Sequence, residues 1–190
     1  MNGIDLLPVG EVSCAVLEEL REGLGTVFRV PCSILKERLD PSFAWHSVRN
    51  QFHSSEILAQ MHDGLRAGVR RLAVTSVDLY VPILTFVFGE AEVGGACAVV
   101  SSHRLRQEFY GLPAAPDVER ERLLKEAVHE LGHTLELTHC NDYRCAMAAS
   151  HSVEWIDMKE AQFCVDCRET VSRLRNGNSG NVARARRYGT

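Results

Sequence analysis

His129 and His133 are four residues apart with Glu130 between them, the pattern H-E-x-x-H. On a helix that spacing stacks the two rings on one face, where a single metal ion can take a nitrogen from each. Glu130 falls about 100° further round the axis, so its carboxylate sits beside the metal and not on it. There it can take a proton from a water that the metal polarises and hand it on, which is the work of a general base. His139 follows His133 by six residues. An unbroken helix would turn it by roughly 600°, or about 240° beyond a full turn, onto the wrong face. The spacing therefore predicts a helix break between Leu135 and His139, after which the chain folds back and offers His139 as a third nitrogen. Three protein ligands leave one position open, as a catalytic zinc requires.

Cys140 adjoins His139, Cys145 follows after four intervening residues, and Cys164 and Cys167 form a C-x-x-C pair. Four thiolates in two close pairs suit a closed tetrahedral zinc with no room for water. Neighbouring residues would then serve different metals, and the cysteine site would hold the loop that delivers His139.

The arrangement of His129, Glu130, His133, His139, Cys140, Cys145, Met147, Cys164 and Cys167 resembles that of the archaemetzincins, a branch of the metzincin zinc peptidases in which a four-cysteine zinc site follows the catalytic helix. The specific match spans His129 to Cys167. Upstream, Phe86 to Ala91 and Ala98 to Ser101 are similar to the strands that precede the active-site helix in that family. The resemblance implies an α/β fold with a single metzincin-like domain over residues 1–175. It implies a mixed, twisted sheet of about five strands and about four helices. It also implies an active-site helix followed by a Met-turn and a zinc-anchored C-terminal subdomain. Met147, eight residues after His139, takes the Met-turn position as an apolar floor under the histidines; an ordinary core methionine is the alternative. The segment Gly94 to Val100 is expected to be the edge strand above the cleft, where an extended peptide can add as a further strand, or simply a strand. One residue departs from the family pattern. Metzincins usually place glycine seven residues after the first histidine, and this chain has Glu136. A non-glycine residue with positive φ there would carry strain of roughly 1–2 kcal/mol.

The elements that must position these residues are partly readable. Ile4 to Val9 suits a first strand, Val12 to Leu24 an amphipathic helix stopped by Gly25, and Thr26 to Ile34 a second strand. Pro41 to His53 reads as a surface loop and Ser54 to Ala67 as a helix. Leu72 to Tyr80, Thr85 to Gly89 and Ala96 to Ser101 are further strand candidates. Asp117 opens the long helix of the zinc motif, with Val118, Leu123, Leu124, Ala127 and Leu131 on its buried side. Asp157 to Leu174 reads as a last helix. Residues 176–190 read as a flexible polar tail, whose Arg184, Arg186 and Arg187 are expected to be solvated.

Composition narrows the class. The chain has 190 residues, 45% hydrophobic, enough for one sizeable core. A net charge of -4 and a pI near 6.1 give no electrostatic reason to expect nucleic acid or an anionic membrane as partner. The N-terminal segment lacks a basic region and carries Asp5 and Glu11, unlike a secretory signal. The apolar run Val81 to Val100 is interrupted by Glu90, Glu92 and three glycines, so no membrane helix is expected. A cytoplasmic monomer is expected, in which metal binding accounts for four of seven cysteines better than disulfides would. Cys14, Cys32 and Cys97 are expected in the core. His46, His53, His62, His103 and His151 lack ligand spacing. With the first strand so near the N-terminus, restraint of the protease is expected from narrow specificity or a shielded cleft in place of an inhibitory pro-segment.

The combined expectation is a zinc metalloprotease that hydrolyses peptide bonds in peptides or small proteins. It would hold two zinc ions per chain, one catalytic on His129, His133 and His139 and one structural on Cys140, Cys145, Cys164 and Cys167. Glu130 would be the general base. The alternative is a zinc-stabilised peptide-binding module with little or no turnover.

Overall fold

A computed structural model describes residues 1–175, with side chains through Arg173; the expected tail, 176–190, lies outside the described residues. Strand β1 (Gly3–Val9) leads into helix α1 (Cys14–Phe28), and the chain returns as β2 (Cys32–Ile34). A 3₁₀ turn (Pro41–Ala44), β3 (Trp45–His46), β4 (Gln51–His53) and α2 (Ser54–Ala59) precede β5 (Val69–Thr75) and β6 (Leu79–Tyr80). Then come β7 (Gly89–Ala91), β8 (Cys97–Ser101), a second 3₁₀ turn (Gln107–Tyr110), α3 (Pro116–Thr134), α4 (Val153–Met158) and α5 (Val165–Arg175).

The main sheet has the order β2-β1-β5-β8-β7 and is parallel except for β7, which runs antiparallel along the edge. It is the expected mixed sheet of five strands. Every residue of β1 and β8 is buried, because helices and loops cover both faces of a parallel sheet. On one face α1 and α3 close a core that includes Leu6, Leu20, Leu72, Val100, Leu123 and Leu131. On the other, Val9, Ile57, Met61, Leu79 and Val99 form a second cluster. A small sheet, β3-β4-β6, lies beside it.

Several expected boundaries move. Helix α1 passes through Gly25 and ends where Arg29 takes a left-handed conformation (φ 53°) and donates its N–H to Gly25 O. The expected strand over Thr26 to Ile34 therefore shrinks to Cys32–Ile34. The expected loop over Pro41 to His53 contains a paired hairpin instead, entered through an Asp40 carboxylate that caps the 3₁₀ turn at Ser42 N. Helix α2 stops at Ala59, ahead of Gly64 and Gly68 with positive φ. The expected strand over Leu72 to Tyr80 is split into β5 and β6. Thr85 to Gly89 is irregular until β7 begins at Gly89. The edge strand is β7; Gly94 to Val100 instead contains the turn and the interior strand β8. The expected last helix is two helices, α4 and α5, parted by a turn at Lys159 and by the Cys164 knuckle. Of the three cysteines expected in the core, Cys97 is buried, Cys32 half-buried and Cys14 exposed. Among the described residues, no helix is long and apolar enough to cross a membrane.

Candidate functional site

Helix α3 starts at Pro116, whose fixed φ and missing N–H suit a first turn, and Asp117 and Glu119 favour the positive end of the helix dipole. Its C-terminal half is buried from Glu126 to Leu131, which brings His129 and Glu130 beneath the edge strand. Arg122 makes two 2.7 Å bonds to the Asp157 carboxylate and donates to Leu105 O, fixing the helix to α4. The helix ends at Thr134, and Glu136 follows with φ 65°. The break thus falls where the ligand spacing demands it, and Glu136 accepts the left-handed conformation that glycine would take without steric cost.

The turn brings His139 round, and the ligand atoms of His129, His133 and His139 lie within 4.8 Å of one another. Nδ1 of His129 is 2.8 Å from Ala146 O, and Nδ1 of His133 is 2.8 Å from Leu137 O. A carbonyl only accepts, so both Nδ1 atoms carry the proton and donate. Burial, the largest influence, pushes the pKa of His129 well below the ordinary histidine value and lowers those of His133 and His139. The rings are therefore neutral, and Nε2 of His129 and of His133 each presents a lone pair. Yet Nε2 of His129 and Nε2 of His133 stand 3.1 Å apart. Two acceptors at that distance repel and cannot hydrogen-bond to each other. A cation between them removes the conflict, and nitrogens about 2.0–2.1 Å from a tetrahedral zinc stand about 3.3 Å apart.

Glu130 is buried under β7, with its carboxyl pushed well above the usual range by burial first and by Glu126 next, against the opposing Lys159 ammonium. Room for it comes from Gly89: a Cβ there would stand 2.6 Å from Glu130 Cγ and 2.6 Å from Val99 O. A cleft of about 450 Å³ runs past the site, lined by Phe86 to Ala91 above and by Glu130, the three histidines and His151 below and to the side.

Under the histidines lies Met147, fully buried, whose backbone carbonyl accepts from Cys140 N. A Cβ on Gly132 would meet the Met147 sulfur at 2.3 Å. Gly132, inside α3, therefore lets the Met-turn segment press directly on the helix between the two histidines. Deeper still, the fully buried Lys159 pairs with Glu126 at 2.7 Å and donates to Ala148 O. Sequence reasoning missed Gly89, Gly132 and Lys159. A glycine inside a strand or helix signals close approach, and that signal was available for the first two. Nothing in the stretch around Lys159 marks it as buried.

The four cysteines converge as well, with all four sulfurs within 4.8 Å of one another. Cys140 Sγ and Cys164 Sγ are 3.8 Å apart, far beyond a disulfide bond. That separation matches two sulfurs about 2.3 Å from one tetrahedral zinc, about 3.8 Å from each other. Cys145 Sγ accepts from the backbone N–H of Met147 and of Cys164. Burial pushes the thiols of Cys140 and Cys167 up, so a cation would be needed to hold these two ionised, while hydrogen bonds from the neighbouring cysteines bring Cys164 down against its burial. The structure thus brings together every residue singled out in the sequence motif, in two separate groups.

The model of peptidase family M54 matches residues 45–173. The archaemetzincin of Methanocaldococcus jannaschii is 43% identical over 167 residues, covering 86% of this chain and 89% of that one. The archaemetzincin of Thermococcus kodakarensis is 37% identical, covering 91% and 97%. Among solved structures, an archaemetzincin from Archaeoglobus fulgidus complexed with malonate superposes with a TM-score of 0.77 at 37% identity, covering 88% of this chain and 99% of that one. A zinc-dependent peptidase from Methanocorpusculum labreanum gives 0.80 at 29% identity, covering 89% and 100%.

Proposed function

Because the chain belongs to peptidase family M54, the archaemetzincins, and is a zinc-dependent metallopeptidase, we propose that it cleaves peptides or small proteins with Glu130 as general base. His129, His133 and His139 would hold the catalytic zinc, and Cys140, Cys145, Cys164 and Cys167 a second, structural one. The single observation that carries this reading is the 3.1 Å approach of two histidine lone pairs whose other nitrogens are already committed to carbonyls. A shared cation reconciles that geometry with neutral rings. The cysteine cluster supports the second ion by its sulfur spacing.

When bound, zinc polarises the scissile carbonyl and lowers the pKa of water from 15.7 to about 7. The chain's own residues do the rest. An extended peptide lies along the free side of β7, whose only partner among the described residues is β8, and adds to the sheet as a further strand. Backbone pairing of this kind fixes the scissile bond while reading little of the sequence. Glu130 takes the proton of the attacking water and delivers it to the leaving amine. Its burial raises its affinity for a proton, which favours the transfer to the carboxylate and holds the proton until the amine departs. Ala146 O and Leu137 O keep the histidine rings turned toward one point throughout.

The test is an unbiased peptide library cleaved by zinc-loaded protein, with Glu130→Gln beside it. The expected result is cleavage by the parent and a loss of on the order of 10²–10⁴-fold in the variant at unchanged zinc content. A parent that cleaves nothing in the library would favour the binding-module reading instead.

A further inference from the structure

A third group of metal-capable side chains lies outside the cleft, and we propose that His62, Glu92 and Cys97 form a further zinc(II) site that ties the segment after α2 to the β7–β8 turn. Their ligand atoms all lie within 4.8 Å of one another, although the three residues come from separate parts of the chain. This group lies apart from the active site: Ala91 and Val93 line the cleft, whereas the Glu92 carboxylate turns to His62 and to the backbone of Ala96 and Cys97.

The geometry is built for a ligand. Glu92 folds back over its own turn, with Oε2 accepting from the N–H of Ala96 and of Cys97 at 3.3 Å each. Its other oxygen, Oε1, accepts a 2.8 Å hydrogen bond from Nε2 of His62, a contact that metal binding would replace. Gly95 makes this fold possible, because a Cβ there would stand 2.4 Å from Glu92 Cβ and 2.7 Å from Oε2. Cys97 is fully buried at the base, its thiol touching only Met61 O among hydrogen-bond partners, at 3.8 Å. Arg71 pairs with Cys97 across β5 and β8 and donates to the carbonyls of Met61 and Asp63 at 2.7 Å each, which holds His62 over the cysteine.

The donor set of one thiolate, one imidazole and one carboxylate suits zinc and leaves a fourth position for water. The two anionic donors match the charge of a divalent ion, with the Arg71 and Arg70 guanidiniums also in range of the thiol. Burial first, and Glu92 next, push the Cys97 thiol up to about 11 against these two arginines, so without metal it stays protonated. Binding breaks the S–H bond, sends the proton to solvent and forms the Sγ–Zn bond, with no change of oxidation state. The ion would stiffen the rim of the cleft, because Gly94 in the same turn donates its N–H to His133 O at 2.9 Å.

The test is zinc stoichiometry by elemental analysis of the full-length chain after equilibration with buffered free zinc. His62→Gln is the first variant, since His62 is exposed and its replacement spares the fold; Glu92→Gln is the second. The expected result is one equivalent less zinc in each variant than in the parent, at unchanged circular dichroism. His133→Ala, which disables the histidine centre, is expected to leave that particular difference in place. The readout is therefore a difference that does not depend on the number of ions elsewhere or on activity. Equal zinc in the parent and His62→Gln would overturn the proposal.

Discussion

Two backbone positions control how well Glu130 and His139 are placed. At Gly89 the absent side chain is what allows Glu130 to sit beneath the edge strand. Gly89→Ala is expected to push Glu130 out of place and lower kcat/KM by on the order of 10²-fold, since displacements of about 1 Å have that cost. Zinc content should stay the same, and parent-like kinetics would show that Glu130 tolerates the crowding. At Glu136 the positive φ is held by the fold on both sides, by Leu135 N and Glu136 N donating back into the helix end and by Gly94 packed against it. Glu136→Gly is expected to relieve strain of roughly 1–2 kcal/mol, less the backbone entropy glycine costs, for a net gain of up to ~1 kcal/mol. A urea midpoint that fails to rise would show that no strain is stored there. Residue types and spacing made both metal groups legible, because ligand chemistry admits few residues and few intervals. The glycine vacancies were legible only as exceptions to helix and strand preference. Lys159 was not legible at all, because its burial depends on Glu126, 33 positions away in the chain.

The elements show where periodicity succeeds. Strand β1 and helix α3 were readable from the sequence, since each is a long stretch with one dominant apolar pattern. Helix α1 was misjudged by its stop signal: Gly25 remains helical, and the left-handed cap is Arg29, a residue without preference for that role. The last helix was misjudged for a different reason. Asp157 to Leu174 carries a continuous helical pattern, but Lys159 turns inward and Cys164 must meet Cys140, and tertiary demands outweigh local propensity. The edge strand was assigned to Gly94–Val100 through the family resemblance, from its place in the strand order, yet that segment contains the buried interior strand β8. At this scale the cysteine cluster joins two elements, the loop after α3 and the start of α5. Cys164→Ser is expected to release one zinc per chain, lower the melting temperature and loosen the loop that carries His139. An unchanged melting curve would count against a structural site.

Over the whole molecule, the buried ionisable groups link stability to pH in opposite senses. His129, His133 and His139 have lowered pKa values in the fold, so below the ordinary histidine value of 6.5 the unfolded chain binds more protons. Their contribution is complete above 6.5 and lost as pH falls. Glu130 and Glu126, with raised pKa values, contribute the other way: their share is present at low pH and lost as pH rises above 4.5. In protein stripped of its histidine-site metal by mild chelation, Glu130→Gln removes one of the two opposing groups, so the urea midpoint of the variant is expected to fall further between pH 7 and pH 5.5 than that of the parent. Equal changes in the two proteins would contradict the burial assigned to Glu130. The same arrangement has a consequence during synthesis. A nascent chain that has emerged as far as His139 already carries all three histidines and Glu130. It still lacks the Ala146 carbonyl that turns His129, the Met147 floor, the Lys159 counter-charge for Glu126, and all four cysteines of the loop clamp. Every one of these supports is encoded downstream of the residues it serves. A hydrolase built in this order stays unassembled on the ribosome until Cys167 has been made, and a prematurely released fragment holds the motif without the machinery.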